Sequence, residues 1–365
     1  MILMNDFRSE PEDLRQHEMV AVDRVLHSGW YVLGSEVKRF EAAWAKCCGT
    51  LHAIGVGNGM DALEIGLRSL DIGIGDEVIT TSMTAFATVL AILRAGAVPV
   101  LADINPDTSL LNIESVHRCL SPRTKAVLLV HLYGQVREMV LWETFCKENN
   151  LILLEDCAQA HLAEDKGKIA GNFGKFGAYS FYPTKNLGAI GDAGALVTND
   201  PEIANRSIKL RNYGQSERYH HPELGMNSRM DEIHAAILTE RLSFLHSFTE
   251  KRINIAETYH QEISNPRIKL LARPLNRANH VYHLFVLLCE ERDRLNRYLS
   301  DSGIASLSHY PIPVHKQPPC LSTKIDPLGL EYTEQHSRHC LSIPCHPQMM
   351  QNQIEKVIDV INSFR

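Results

Sequence analysis

The chain has 365 residues, more than one hydrophobic core usually serves, so two domains of unequal size are expected. With 44% hydrophobic and 22% charged residues and a formal net charge of -6, it has an ordinary globular composition and lacks the lysine/arginine block of a nucleic-acid-binding face. No window approaches a membrane span, the apolar start Met1-Ile2-Leu3-Met4 is too short for a signal peptide, and nine cysteines without a C-x-x-C pair point to reduced thiols in a cytoplasmic setting.

Ser9-Glu10-Pro11-Glu12 has the spacing of a capping box, and Leu14, Val22 and Val25 carry a helix to just before Gly29. A connector, Trp30 to Gly34, leads to a second helix with Val37, Phe40 and Trp44 on one face. A strand over 52–56 then runs into Gly57-Asn58-Gly59-Met60-Asp61 and a helix. Strand, glycine turn and helix aim free backbone N–H groups at an anion. Neither G-x-G-x-x-G nor G-x-x-x-x-G-K-[ST] is present, so a phosphate monoester fits better than a dinucleotide or a P-loop ligand.

From Asp76 onward strands over 77–80, 98–101, 126–130 and 151–154 alternate with helices over 84–95, 113–120 and 138–149, which predicts an α/β fold with a mainly parallel sheet covered on both faces. A further strand over 194–198 and a helix from Pro201 follow. Asn227-Ser228-Arg229-Met230-Asp231 leads into one long helix through Ile233, Ile237, Leu242 and Leu245, placing a large domain over 1–245 and a smaller α+β domain over 246–365. In the latter a strand is expected over 281–288 and helices over 291–302 and 348–364.

Two stretches carry the chemistry. In Ser180-Phe181-Tyr182-Pro183-Thr184-Lys185-Asn186-Leu187-Gly188, a lysine sits on a proline-marked turn after an aromatic strand; in a pocket its ammonium would lose hydration and become a nucleophilic amine. Upstream, the apolar run 151–154 delivers Glu155-Asp156 at the carboxyl end of a buried strand, the edge at which open α/β sheets bind ligands. An aspartate and a lysine so placed suit a pyridine cofactor, the carboxylate holding the ring nitrogen and the amine condensing with an aldehyde. No H-E-x-x-H or comparable cluster occurs among the 18 histidines, so no metal site is expected.

These blocks, with Val56 to Leu63, Asp71 to Ile79, Val130-His131-Leu132-Tyr133-Gly134-Gln135, Gln159-Ala160-His161 and Asn227 to Glu232, resemble the DegT/DnrJ/EryC1/StrS family of pyridoxal-phosphate-dependent nucleotide-sugar aminotransferases over nearly the whole chain. The resemblance implies an aspartate-aminotransferase-like large domain of fold type I. It implies pyridoxal 5'-phosphate joined to Lys185, with Asp156 on the ring nitrogen, Gln159 on the phenolic oxygen, and Ser180 with the N–H groups of Gly59 and Met60 on the phosphate. Asn227 would reach the phosphate of a neighbouring subunit, which requires a homodimer with shared sites. Relatives commonly carry an aromatic residue directly after the threonine matching Thr84; here Ala85 stands there, followed by Phe86, so that either Phe86 stacks on the ring or Phe86 serves as helix core and the ring packs on smaller groups. Tyr182 and the segment containing His309, Tyr310 and His315 are expected at the sugar.

The implied reaction moves an amino group from L-glutamate or L-glutamine to a nucleotide-linked keto-sugar, a dTDP-3-keto-6-deoxyhexose by the pattern of the blocks. A sugar dehydratase of the same fold is an alternative, against which Lys185 argues, since C3 dehydratases carry histidine there. A non-catalytic sugar sensor is another, against which the complete set of Asp156, Gln159, Ser180 and Lys185 argues.

Overall fold

The computed structural model describes residues 1–365. Helices α1 (Glu12–Ser28) and α2 (Ser35–Cys48) each stop on a left-handed glycine, Gly29 at φ 63° and Gly49 at φ 67°, which an L side chain would oppose. The capping box expected at α1 does not form: Pro11 takes the N-cap position, and the Ser9 hydroxyl donates to Asp6 at 2.7 Å.

The strands that follow are β1 (His52–Val56), β2 (Glu77–Thr81), β3 (Val98–Ala102), β4 (Thr124–Val130), β5 (Ile152–Asp156), β6 (Glu164–Asp165), β7 (Lys168–Ile169), β8 (Gly177–Ser180), β9 (Gly194–Thr198), β10 (Lys269–Leu270), β11 (Phe285–Leu288), β12 (Lys324–Ile325) and β13 (Cys340–Ile343). Interleaved with them are α3 (Gly59–Ser69), α4 (Phe86–Arg94), α5 (Ile113–Cys119), α6 (Met139–Glu148), α7 (Pro201–Leu210), α8 (Glu232–Leu242), α9 (Leu245–Glu262), α10 (Arg292–Asp301), α11 (Glu331–His339) and α12 (Gln351–Ser363).

Eight strands form one sheet in the order β1-β9-β8-β5-β4-β2-β3-β12, in which only β9 runs against its neighbours. Two cores cover its faces, and the strand alternation decides which residue joins which: Phe176 and Ala178 pack with Ile54 and Ile65, whereas Tyr179 and Phe181 pack with Phe40 and Trp44. A second, antiparallel sheet, β10-β11-β13, packs with α9, α10 and α12 around Tyr259, Phe285, Leu299 and Ile358.

The two sets of elements exchange pieces. Ile2 lies in the core of the second sheet, with its N–H on Gly303 O at 2.7 Å. In return β12 pairs with β3, and Asp103, just beyond β3, accepts from Tyr332 N at 3.0 Å and Thr333 N at 2.8 Å in the first turn of α11. The long helix expected after Asp231 breaks at Ser243-Phe244 into α8 and α9, the latter starting at residue 245. The strand expected from 281 starts only at Phe285, because Tyr282 adopts φ 45° and the Val281 carbonyl is taken by the Asn186 amide at 3.1 Å.

Candidate active site

Asp156, Ser180, Val56, Thr81 and Val130 end β5, β8, β1, β2 and β4, strands that point the same way, so the loops carrying the predicted residues gather at one carboxyl edge. Asp156 is buried there. Its Oδ2 accepts from Thr88 Oγ1 at 2.8 Å and its Oδ1 from the Ala158 N–H at 3.1 Å. Burial raises its carboxyl above the usual range, and the two donors with the nearby Lys185 and His131 charges pull it back.

Lys185 follows a turn closed by its own N–H on Tyr182 O at 2.8 Å and by Ala189 N on Phe181 O at 2.7 Å. Only glycine fits at 188, where a Cβ would lie 2.3 Å from Pro183 O. The residue is partly exposed by area, but protein surrounds its ammonium. Burial pushes the amine down to about 8, against the attraction of Asp156.

Beside this pair, Asn58 caps α3, its Oδ1 accepting from Asp61 N at 2.9 Å, which leaves the Gly59 and Met60 N–H groups at the helix start without intrahelical acceptors. Ser180 is packed against them. A Cβ on Gly194 would reach within 2.7 Å of Gly59 N, so β9 closes the cradle from the other side. Behind it, Ser228 Oγ accepts from Gly57 N at 3.0 Å and donates to Asp61 at 2.6 Å. Its neighbour Asn227 is exposed and paired with Asn212.

Gln159 accepts from the Tyr133 N–H at 2.6 Å and donates to Tyr310 Oη at 3.2 Å. Burial raises the Tyr310 hydroxyl to about 12, with the Asp156 charge adding to it. His309 Nδ1 shares a hydrogen bond with Ser342 Oγ at 2.8 Å, and burial with the Lys185 charge pushes its ring down to about 4. The structure thus brings Lys185, Asp156, Gln159, His309 and Tyr310 together, from both sequence halves. Tyr182 stands exposed at the turn. Both His315 nitrogens are engaged, by Ser82 Oγ at 2.8 Å and Glu334 at 3.2 Å, so that ring ties the β2–α4 connection to α11. Phe86 opens α4 and packs on the small core of Val89, Leu101, Val314, Cys320 and Leu330, the helix-core role.

Sequence reasoning missed Thr88 and Tyr133. Thr84 and Thr88 stand one helical turn apart, a spacing that could have marked them. Tyr133 needs a left-handed backbone, φ 63°, before Gly134 at φ 98°, and only the glycine hints at it. His131, Glu155 and Cys157 lie close enough to share a cation, but Glu155 already accepts from the N–H groups of Gly171, Phe173 and Gly174 at 2.7 to 2.8 Å and bonds His131 at 2.8 Å. That carboxylate is a clamp for the 171–174 loop.

The donor set fits pyridoxal phosphate: an anion cradle at a helix start, a carboxylate one strand away and, near that carboxylate, an amine lowered by burial. Fold and site define a pyridoxal-phosphate-dependent aminotransferase of fold type I. The chain belongs to the DegT/DnrJ/EryC1/StrS aminotransferase family, whose profile matches residues 12–362. It is 44% identical over 361 residues to the dTDP-3-amino-3,6-dideoxy-alpha-D-galactopyranose transaminase of Aneurinibacillus thermoaerophilus, covering 96% of this chain and 98% of that one. It is 39% identical over 363 residues to a pleiotropic regulatory protein of Geobacillus stearothermophilus, covering 99% and 98%. The crystal structure of S. venezuelae DesV in complex with a ketimine intermediate superposes with a TM-score of 0.95 at 41% identity, covering 99% of this chain and 97% of that one.

Proposed function

We propose that the protein transfers the amino group of L-glutamate, or L-glutamine, to a nucleotide-linked keto-sugar, a dTDP-3-keto-6-deoxyhexose, to make an amino sugar. The observation that carries this is the Lys185 amine, lowered by burial to about 8 beside a buried Asp156 at the carboxyl edge of the sheet. The name of the 44% identical relative supports the sugar and the nucleotide.

When bound, pyridoxal phosphate supplies the electron sink that lets a carbon–hydrogen bond next to nitrogen break, and it carries the amino group between the two substrates. The chain's residues do the rest. Asp156 holds the ring nitrogen and its charge, Gln159 the phenolic oxygen, and Ser180 with the Gly59 and Met60 N–H groups the phosphate. Lys185 Nζ, its amine lowered by burial to about 8, would move a proton between the substrate carbon and the cofactor carbon in each half-reaction. Tyr182, His309, Tyr310 and His315 form the sugar side, the last by holding the Ser82 turn in place. Asn227, exposed on its own protomer, supports a homodimer in which it completes the partner's phosphate site. All nine cysteines are free, which suits a reducing compartment such as the cytoplasm.

The test is the visible absorption of the purified protein with pyridoxal phosphate. A visible band that bleaches on adding L-glutamate or L-glutamine and returns with the keto-sugar supports the reading. A band indifferent to both donors overturns it and points to another donor or to a lyase, whereas no band at all favours the sensing role suggested by the regulatory name of the 39% identical relative.

A further inference from the structure

Two buried threonine hydroxyls stand behind Asp156. Thr84 and Thr88 flank the start of α4, and the Oγ1 atoms lie 2.8 Å apart. Thr88 is fully enclosed and Thr84 nearly so. A threonine hydroxyl has one proton to give. Thr88 gives its proton to Asp156 Oδ2 at 2.8 Å, so the 2.8 Å contact between the hydroxyls is made with the Thr84 proton. The chain therefore has one direction, Thr84 to Thr88 to Asp156, and each bond polarises the next.

The arrangement has a cost that packing alone does not repay. Burying a hydroxyl costs free energy that a bond offsets, and a valine of the same shape would fill either site without that demand. Ala85, the N-cap residue of α4, has no side-chain acceptor for the helix start, and Thr84 next to it spends its hydroxyl on Thr88.

We propose that Thr84 and Thr88 are positioning residues for the transamination, a hydroxyl relay that fixes the orientation of the Asp156 carboxylate and keeps it ionised opposite the cofactor's ring nitrogen. The proposal rests on the reading of Asp156 given above. A carboxylate offers about two acceptor sites on each oxygen. Thr88 takes one on Oδ2 and Ala158 one on Oδ1, which leaves one on each for a ring N–H and locks the carboxylate plane. The donors also favour the charged form in a place where burial opposes it.

A protonated ring nitrogen draws charge from the rest of the bound chromophore and lowers the pH at which its visible band titrates. The experiment loads wild type, Thr88→Val, Thr88→Ser, Thr84→Val and Asp156→Asn with pyridoxal phosphate and records that midpoint, together with the dissociation constant for the cofactor. Expected are an upward shift of about half to one pH unit and roughly tenfold weaker binding for Thr88→Val, with Thr88→Ser restoring both, since loss of one bond to a charged group is of that order. Thr84→Val shifts the midpoint the same way by less, and carries the test alone where Thr88→Val does not fold. Asp156→Asn shifts it furthest. Wild-type midpoints in the threonine variants, with Asp156→Asn shifted, overturn the relay and leave the role of Asp156 standing. An unshifted Asp156→Asn overturns that role and the relay with it.

Discussion

Gly59 and Ser180 meet so closely that a Cβ on Gly59 would lie 2.7 Å from Ser180 Cβ and 3.0 Å from its Cα. Gly59 is not in the left-handed region, so its small size, not backbone freedom, is what the site uses. Gly59→Ala is expected to push the start of α3 off Ser180 and weaken pyridoxal phosphate binding about tenfold or more, close to 1.4 kcal/mol. Absorbance titration of the apoprotein checks it; unchanged affinity would remove these residues from the phosphate site.

The Lys185 amine sets a pH window. Only the free amine attacks an aldehyde, so the rate at which the visible band forms on adding pyridoxal phosphate should rise about tenfold per pH unit and level off near pH 8, not near 10.5. Stability follows the same shift. Because the folded value is depressed, the unfolded chain binds more protons between pH 8 and 10.5, so the burial cost is fully present below 8 and disappears as pH rises toward 10.5. Lys185→Met should stabilise the apoprotein by on the order of 2 kcal/mol below pH 8, a figure reduced for partial exposure, and by little at pH 10.5. Urea unfolding at both pH values reads it.

Gln159 is bound on both ends, and the two ends are not equivalent. Gln159→Leu leaves the buried Tyr133 N–H without its acceptor and should cost about 1–3 kcal/mol of stability. Tyr310→Phe removes only the partner of the amide nitrogen at 3.2 Å and should cost under about 1 kcal/mol. Chemical denaturation of the two apo variants separates them; equal losses would mean that the Tyr133 bond does not matter.

Asn227 offers a test of shared sites. If it acts across the interface, a chain lacking Lys185 and a chain lacking Asn227 complement each other. Co-refolding inactive Lys185→Ala with Asn227→Ala should then recover about a quarter of wild-type activity, since half the dimers are mixed and each holds one intact site. Action within one chain predicts no recovery.

The sheet and the Asp156-Lys185 pair were legible for physical reasons. Residues 151–154 are apolar throughout because the strand is covered on both faces, and Pro183 with Gly188 brackets a tight turn whose lysine gains meaning only beside the acidic end of that strand. What escaped reading depends on contacts distant in sequence. β12 pairs through only two residues and carries no periodic signal. Leu242 and Leu245 continue a helical stripe across the break at Ser243-Phe244, so the pattern hides the bend. Thr88 reads as an unremarkable helix residue until Asp156, 68 positions later, is placed beside it.

Ile2 in one core and β12 on the edge of the other's sheet mean that the two parts are laced, each holding a strip of the other. Swinging them apart like jaws would strip β12 from β3 and the Asp103 cap from α11. Cutting the chain before α9 would give no pair of independent modules, only two fragments with exposed seams.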